Sequence, residues 1–419
     1  EEMLSDFAKP LIGAAGLNAK SVDMYIVNDP TLNAFVTRGQ KVFLHTGIII
    51  EFESPDQLKG VVAHEIGHIS SGHLARSGQT TRGAYGTMLV AAGLGIAAML
   101  AGEGRAGAAI LGSSSTFATL DVLKYTRINE ASADQAGALY LENTGQTGQG
   151  LIEFFEKFRY QEVMSQQGRF PYFRSHPLSS ARIDSLREVV GESPFYETTS
   201  SDEDIHRLSI AQAKLRGFIE PPQSIFNSYP ASDTSEQARL ARSVAHFRAA
   251  DLVNALRNID SLIKEFPQNP YYHELKGQIY FESGRAELAL PSLRKAIALK
   301  SNAPLLQMAL GQALITTKPL GAERQTRLNE GITYIKKTLQ SEPENGFAWY
   351  LLSQAYGEQD KPALAKYAVA EQAYASGNLH RASEFATRAL LGLERDTPQY
   401  RRANDIKVIA TARMSDARR

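Results

Sequence analysis

The sequence lacks cysteine and has no excess of charge of either sign. Without Cys among its 419 residues, disulfides and thiolate ligands are excluded, and any metal must be held by histidine or carboxylate groups. Lys and Arg number 45, as do Asp and Glu, so no global field favours nucleic acid or an anionic membrane. A chain of this length is expected to form two or three domains. It opens at Glu1 without a visible signal peptide, which is also how an exported chain looks after cleavage.

Strongly hydrophobic runs are scarce as well. Residues 84–101 are uncharged and just reach the length of a membrane-spanning helix, and residues 106–120 are again uncharged. Both are rich in Gly and Ala, so their transfer into lipid is weakly favourable. We therefore expect a helical hairpin over 84–120 that packs over the functional groove or rests against a membrane or another protein. A pair of spanning helices is the less favoured alternative.

One short motif carries specific chemistry. His64 and His68 are four residues apart, so on a helix their rings leave the axis about 40° apart and can reach one Zn²⁺. Glu65 projects beside that point, where it can take a proton from a zinc-bound water. The flanking residues are apolar, which favours a buried zinc helix over a solvated helix with chance histidines. Ser54-Pro55-Asp56 predicts the start of this helix, which we expect to run to about Ala75.

A second pair of acidic residues supplies the missing ligand. Glu130 and Asp134 are also four apart, and Glu130 can complete a His₂Glu zinc site with one position left for water or substrate. Asp134 can accept the free N–H of a ligating histidine and fix its tautomer. The alternative is a solvated acidic face, which the small residues between the pair disfavour. His73 falls at the wrong offset for a metzincin ligand and, on a continuing helix, points about 140° away from His68.

His176 stands in a predicted turn before a helix that contains Arg182. A lone histidine before proline is usually a loop residue, but its place after the metal helices makes it a candidate for the rim of the active site. It could stabilise the oxyanion of a tetrahedral intermediate, or cap the zinc as a fourth ligand in a closed resting state. These two hypotheses predict opposite effects on activity.

Short β-prone runs precede the zinc helix. Residues 34–37 and 42–44 predict a hairpin with Gly39 in its turn, and residues 24–27 form a further β-prone run. The hairpin could hold a peptide substrate as an added strand or could simply cover the helix. The sequence favours neither alternative.

The second half of the chain is repetitive. Residues 192–234 predict a linker with a short helix, and residues 235–419 predict helices with a period near 34 residues. The unit over 271–304, with Gly277 and Ala289, has the offsets of the tetratricopeptide pattern, and an insertion stretches a later unit around 318–326. Such repeats stack into a superhelix whose concave face binds peptides or proteins, although they could also serve only to cap the first domain.

The motifs of the first half of the chain, at residues 64–68, 130–134 and 175–183, resemble the M48 family of zinc metallopeptidases over about residues 1–190. The resemblance implies an α+β, mostly α fold in which a gluzincin-type domain with a small β-sheet (1–191) precedes the repeats. It implies one Zn²⁺ held by His64, His68 and Glu130, Glu65 as general base, and supporting contacts from Asp134 and Arg182.

An M48 domain followed by such repeats is similar to periplasmic proteases of this family that act in outer-membrane β-barrel assembly. That likeness implies an endopeptidase for misfolded or misassembled outer-membrane proteins, periplasmic localisation after removal of a signal before Glu1, chaperone activity, and contact of the repeats with the barrel-assembly machinery. The main rival interpretation is a repeat-based chaperone or scaffold whose metal site is latent or structural. The sequence does not define cleavage preference or oligomeric state.

Overall fold

The structure, a computed structural model, describes residues 2–37, 39–73, 127–164, 176 and 179–416. The chain divides into two compact units, Glu1–Arg216 and Gly217–Arg419. Within the described residues the fold is mostly helical with one three-stranded sheet, so the predicted α+β, mostly α class is confirmed.

The first unit combines the sheet with helices that surround a single hydrophobic core. Its elements are α1 (Glu2–Ala14), a 3₁₀ turn (Ala19–Ser21), β1 (Asp23–Val27), β2 (Ala34–Thr37), β3 (Lys41–His45), α2 (Thr46–Glu51), α3 (Pro55–Ser70), α4 (residues 127–143), α5 (Gln149–Met164), α6 (Ser180–Gly191) and α7 (Asp202–Ile219).

The sheet has the strand order β1-β3-β2. β2 and β3 pair antiparallel, which confirms the predicted hairpin, and Gly39 in its turn has a φ of +85° that favours glycine. β1 pairs parallel with β3, a long-range pairing that the sequence did not indicate. Val42 and Leu44 of β3 are fully buried, so the central strand anchors the sheet to the core.

Helix α3 is the most deeply buried helix of this unit. Ser54 caps it by accepting a hydrogen bond from the Gln57 N–H at 3.3 Å, and Pro55 occupies its first turn, which confirms the predicted start. The predicted end near Ala75 is wrong, because the helix stops at Ser70. Gly72 follows with a φ of +64°, a left-handed conformation that turns the chain back on itself.

Two glycines let α3 and α4 approach each other closely. A Cβ atom on Gly67 would come within 2.7 Å of the Ala133 carbonyl oxygen, and one on Gly137 would come within 3.1 Å of the backbone nitrogen of His64. Contact this close between two helix backbones is what brings the side chains of α4 to those of α3.

Residues of the predicted linker 192–234 pack on the first unit. The Lys59 ammonium of α3 lies 2.7 Å from the Asp204 carboxylate, and the Gln212 side chain donates to the Phe52 carbonyl oxygen at 2.7 Å. α7, with 18 residues, is longer than the short helix predicted within residues 192–234, and the division between the two units falls within it. The predicted domain limits of 191 and 235 stay predictions.

The second unit is helical throughout its described residues. Its helices are α8 (Pro222–Ser228), α9 (Glu236–Arg248), α10 (Leu252–Glu265), α11 (Pro270–Glu282), α12 (Ala286–Leu299), α13 (Pro304–Thr316), α14 (Ala322–Ser341), α15 (Gly346–Glu358), α16 (Pro362–Ala375), α17 (Leu379–Leu390) and α18 (Pro398–Asp416).

Consecutive helices of this unit pack in pairs, α11 with α12, α13 with α14, and α15 with α16. Where the first two of these helices meet, Gly277 faces Leu293, and a Cβ on the glycine would come within 2.6 Å of the leucine side chain. The two helices therefore approach closely at a glycine of the predicted repeat unit 271–304. The pairing is compatible with tetratricopeptide repeats, while a superhelix stays a prediction.

The hairpin predicted over 84–120 lies outside the described residues. Among the helices that are described, none is both long and apolar enough to cross a bilayer.

Candidate metal centre

Four buried side chains from three parts of the first unit converge. His64 and His68 come from α3, Glu130 from α4, and His176 from the segment that precedes α6. Each is at most 7% exposed. One potential ligand atom from each lies within 4.8 Å of all the others, which is close enough for the four to share one metal ion.

The distances between the donor atoms fit a tetrahedral ion. His64 Nε2 lies 3.2 Å from His68 Nε2 and 3.3 Å from His176 Nδ1. Glu130 Oε2 lies 3.4 Å from His64 Nε2 and 3.0 Å from His176 Nδ1, and its other oxygen, Oε1, lies 3.4 Å from His68 Nε2. Ligand atoms on a tetrahedral zinc with bonds of about 2.0–2.1 Å are about 3.3–3.4 Å apart. Three imidazoles and one carboxylate therefore have both the chemistry and the spacing that zinc requires.

Asp134 connects this cluster to Arg182. Its carboxylate accepts two hydrogen bonds from the Arg182 guanidinium, at 2.7 and 2.8 Å, and lies 2.9 Å from His64 Nδ1. With Nδ1 facing a carboxylate, His64 is oriented so that Nε2 is available to a metal. Arg182 Nη1 also lies 3.2 Å from a Glu130 oxygen, so one arginine orients both acidic residues.

His73 also contacts the site, which sequence reasoning missed. Its Nδ1 lies 2.9 Å from His68 Nδ1, so it does not point away from His68 as a continuing helix would require. The reason is the helix end at Ser70 and the turn at Gly72, which fold His73 back over the last turn of α3. A glycine after the two serines was the available signal. His73 lies outside the four-residue cluster. It contacts His68 Nδ1, whereas His68 Nε2 faces the other members of the cluster.

Glu65 lies at the edge of the cluster and is fully buried. Among the described residues neither carboxylate oxygen has a hydrogen-bond partner, and His176 Nε2 is 3.6 Å from Oε1. Burial raises the pKa of this carboxyl, because the charged form loses its hydration. A buried carboxyl with a raised pKa beside a metal site is suited to exchanging protons.

The carboxylates of the cluster attract a positive charge to the space between the histidine rings. Burial opposes protonation of His64, but the carboxylates of Asp134 and Glu130 outweigh it and raise the pKa of the ring to about 10. Burial lowers the pKa of His68 to about 2, and His64 acts in the same direction. A metal cation between these groups would supply the charge that the carboxylates attract while both rings stay neutral, as ligation requires.

A buried His₂Glu set on two helices, with a glutamate directly after the first histidine, defines a metallopeptidase site. Comparison with known proteins agrees, since the profile of Peptidase family M48 matches residues 1–190. These residues form a peptidase domain of family M48, and the predicted M48-type metalloendopeptidase is confirmed.

Curated relatives share this domain, and some of them match most of the chain. The beta-barrel assembly-enhancing protease of Yersinia pestis is 24% identical over 412 residues, covering 94% of this chain and 81% of that protein. A putative beta-barrel assembly-enhancing protease of Vibrio cholerae is 25% identical over 400 residues, covering 93% and 79% of the two chains. The mitochondrial metalloendopeptidase OMA1 of Schizosaccharomyces pombe is 29% identical over 198 residues, covering 47% of this chain and 55% of that protein.

Proposed function

We propose that this protein is a zinc-dependent endopeptidase that degrades misfolded or misassembled proteins during outer-membrane β-barrel assembly in the periplasm. The observation that carries the zinc assignment is the convergence of four buried donors, in which His64 Nε2 lies 3.2–3.4 Å from donor atoms of His68, His176 and Glu130. The cellular role is inferred from the names of relatives that match more than nine tenths of the chain.

The residues of the site have three roles in the proposed reaction. His64, His68 and Glu130 would hold the zinc, which when bound would supply a Lewis acid that polarises a peptide carbonyl and acidifies water. Glu65 takes the proton of the attacking water and passes it to the leaving amine, and its raised pKa suits both transfers. Asp134 and Arg182 hold His64 and Glu130 in place through the contacts described above.

His176 acts as the fourth donor of a closed resting state. Its Nδ1 lies at 3.0–3.3 Å from two of the other donors, where a substrate carbonyl or water would otherwise stand. Activity then requires the ring to move away, after which it could contact the oxyanion. This position is also the observation that favours a second candidate function, a repeat-based chaperone or scaffold with a latent metal site.

The second unit serves as the binding module. Its paired helices offer exposed surfaces for substrates or for the barrel-assembly machinery, and the relatives are named for enhancing β-barrel assembly. Chaperone activity would reside here, because it does not require the metal site.

Replacement of Glu65 tests the proposed function. Glu65→Gln keeps the size of the side chain and removes the proton acceptor, so zinc content should stay at one per chain while cleavage of unfolded casein is lost. Chelated wild-type protein should be equally inactive and recover on addition of zinc. If Glu65→Gln cleaves normally, the mechanism is wrong. If wild type with bound zinc does not cleave but still prevents aggregation of an unfolded protein, the latent-site alternative is correct.

A further inference from the structure

A large cavity of the second unit has no role in the function proposed so far. Its volume is about 730 Å³, within the range of roughly 300–1,000 Å³ that ligand sites occupy. It lies between α14, the turn from α15 to α16, and the segment at residues 392–399. Gly392 permits the approach of that segment, because a Cβ there would come within 3.0 Å of the Ala363 side chain.

The floor of the cavity is apolar. Ile332 and Tyr356 are each 7% exposed, and Leu364 and Leu393 are half-buried beside them. These side chains can receive an aliphatic or aromatic group and remove it from water.

Two lysines line the cavity near Tyr356. The Lys336 ammonium lies 5.8 Å from the centroid of the Tyr356 ring, and the backbone N–H of Lys361 donates to the Tyr356 carbonyl oxygen at 2.9 Å. Both side chains are exposed, and neither ammonium has a carboxylate partner within the described residues 179–416. Glu394 is the single acidic residue of the lining, so the cavity favours an anionic ligand.

Side-chain amides complete the rim. Gln359 Nε2 donates to Asn329 Oδ1 at 2.7 Å, and Gln399 lines the same cavity. An amide side chain offers both a donor and an acceptor, which matches the hydrogen bonds of an extended peptide backbone.

We propose that this cavity binds an extended peptide segment in which acidic side chains alternate with apolar ones. The apolar groups contact Ile332 and Tyr356, the carboxylates contact Lys336 and Lys361, and the amides contact the backbone. The proposal rests on the proposed role of the second unit as a binding module and is independent of the peptidase reaction.

The test is fluorescence anisotropy with a fluorescein-labelled, C-terminally amidated peptide Gly-Ser-Leu-Glu-Leu-Glu-Ser-Gly. The full chain carries Glu65→Gln so that the peptide is not cleaved. Lys336→Met and Lys361→Met should each weaken binding about threefold, and together about tenfold, as expected for exposed ion pairs. Lys337→Met is the matched control, because Lys337 follows on the same helix but contacts Tyr334 outside the cavity, and it should leave affinity unchanged. Glu394→Gln should strengthen binding by removing a repulsive charge.

The proposal is overturned if a peptide with Gln in place of Glu binds equally well, if the double lysine variant keeps wild-type affinity, or if binding requires a free C-terminal carboxylate. Casein cleavage is measured in parallel on the active protein, in which Glu65 and both lysines are unchanged. If the peptide fails to bind but casein is cleaved, this inference fails while the proposed peptidase function stands.

Discussion

Replacing Gly67 by alanine should destabilise the peptidase unit, although alanine is the better helix former by about 1 kcal/mol. A Cβ at this position would come within 2.7 Å of the Ala133 carbonyl oxygen and 3.0 Å of its Cα. Both are backbone atoms of α4, so the clash is relieved only by moving the helix that carries Glu130 and Asp134. Overpacking of this kind costs about 1–3 kcal/mol.

After subtraction of the helix-propensity gain we expect a net loss of up to about 2 kcal/mol in the free energy of unfolding, which lowers Tm by up to roughly 8 °C for a unit of this size. Zinc affinity should fall with it, because displacement of α4 separates Glu130 from the two histidines. Thermal unfolding with zinc and with chelator, together with zinc titration against a competing chelator, measures both effects.

Gly13→Ala is the matched control. Gly13 lies in α1 of the same unit, and a Cβ there would have nothing within 4 Å. It should leave stability unchanged or raise it by up to about 1 kcal/mol. If Gly67→Ala raises stability as this control does and keeps wild-type zinc affinity, then the close approach of α3 to α4 does not set the geometry of the site.

Two further changes probe the residues around the ligands. His73→Ala should reduce zinc affinity by about 10–100-fold without abolishing binding, because His68 loses the group that orients its Nδ1. Competition with a chromophoric chelator measures the affinity, and an unchanged affinity would show that the contact is incidental. Arg182→Lys keeps the charge but cannot reproduce the two hydrogen bonds of the guanidinium to Asp134. Urea unfolding of the zinc-free protein should therefore show a decrease of about 2 kcal/mol in the free energy of unfolding. A decrease below about 0.5 kcal/mol would mean that the two hydrogen bonds contribute little.

The candidate site was predictable wherever its signals are local. The spacing of His64 and His68, and that of Glu130 and Asp134, follows from helix periodicity alone. Ser54 and Pro55 mark the start of α3 by cap chemistry that acts within one turn. The paired helices of the second unit likewise follow from a pattern that repeats along the sequence.

Other features depended on longer-range structure. The end of α3 was placed too late because the apolar pattern continues past Ser70, while Gly72 takes a left-handed φ. That error also displaced His73, whose contact with His68 exists only because the chain turns back. The parallel pairing of β1 with β3 and the packing of Asp204 on Lys59 join residues 18 and 145 positions apart, and no local pattern encodes either.

X-ray absorption spectroscopy at the zinc edge tests the central claim most directly. In the purified protein the account predicts one zinc per chain, with three imidazole nitrogens and one carboxylate oxygen at about 2.0–2.1 Å. In His176→Ala it predicts that zinc is retained and that one imidazole is replaced by a water oxygen. Absence of stoichiometric zinc, or full zinc retention after His64→Ala with His68→Ala, would contradict it.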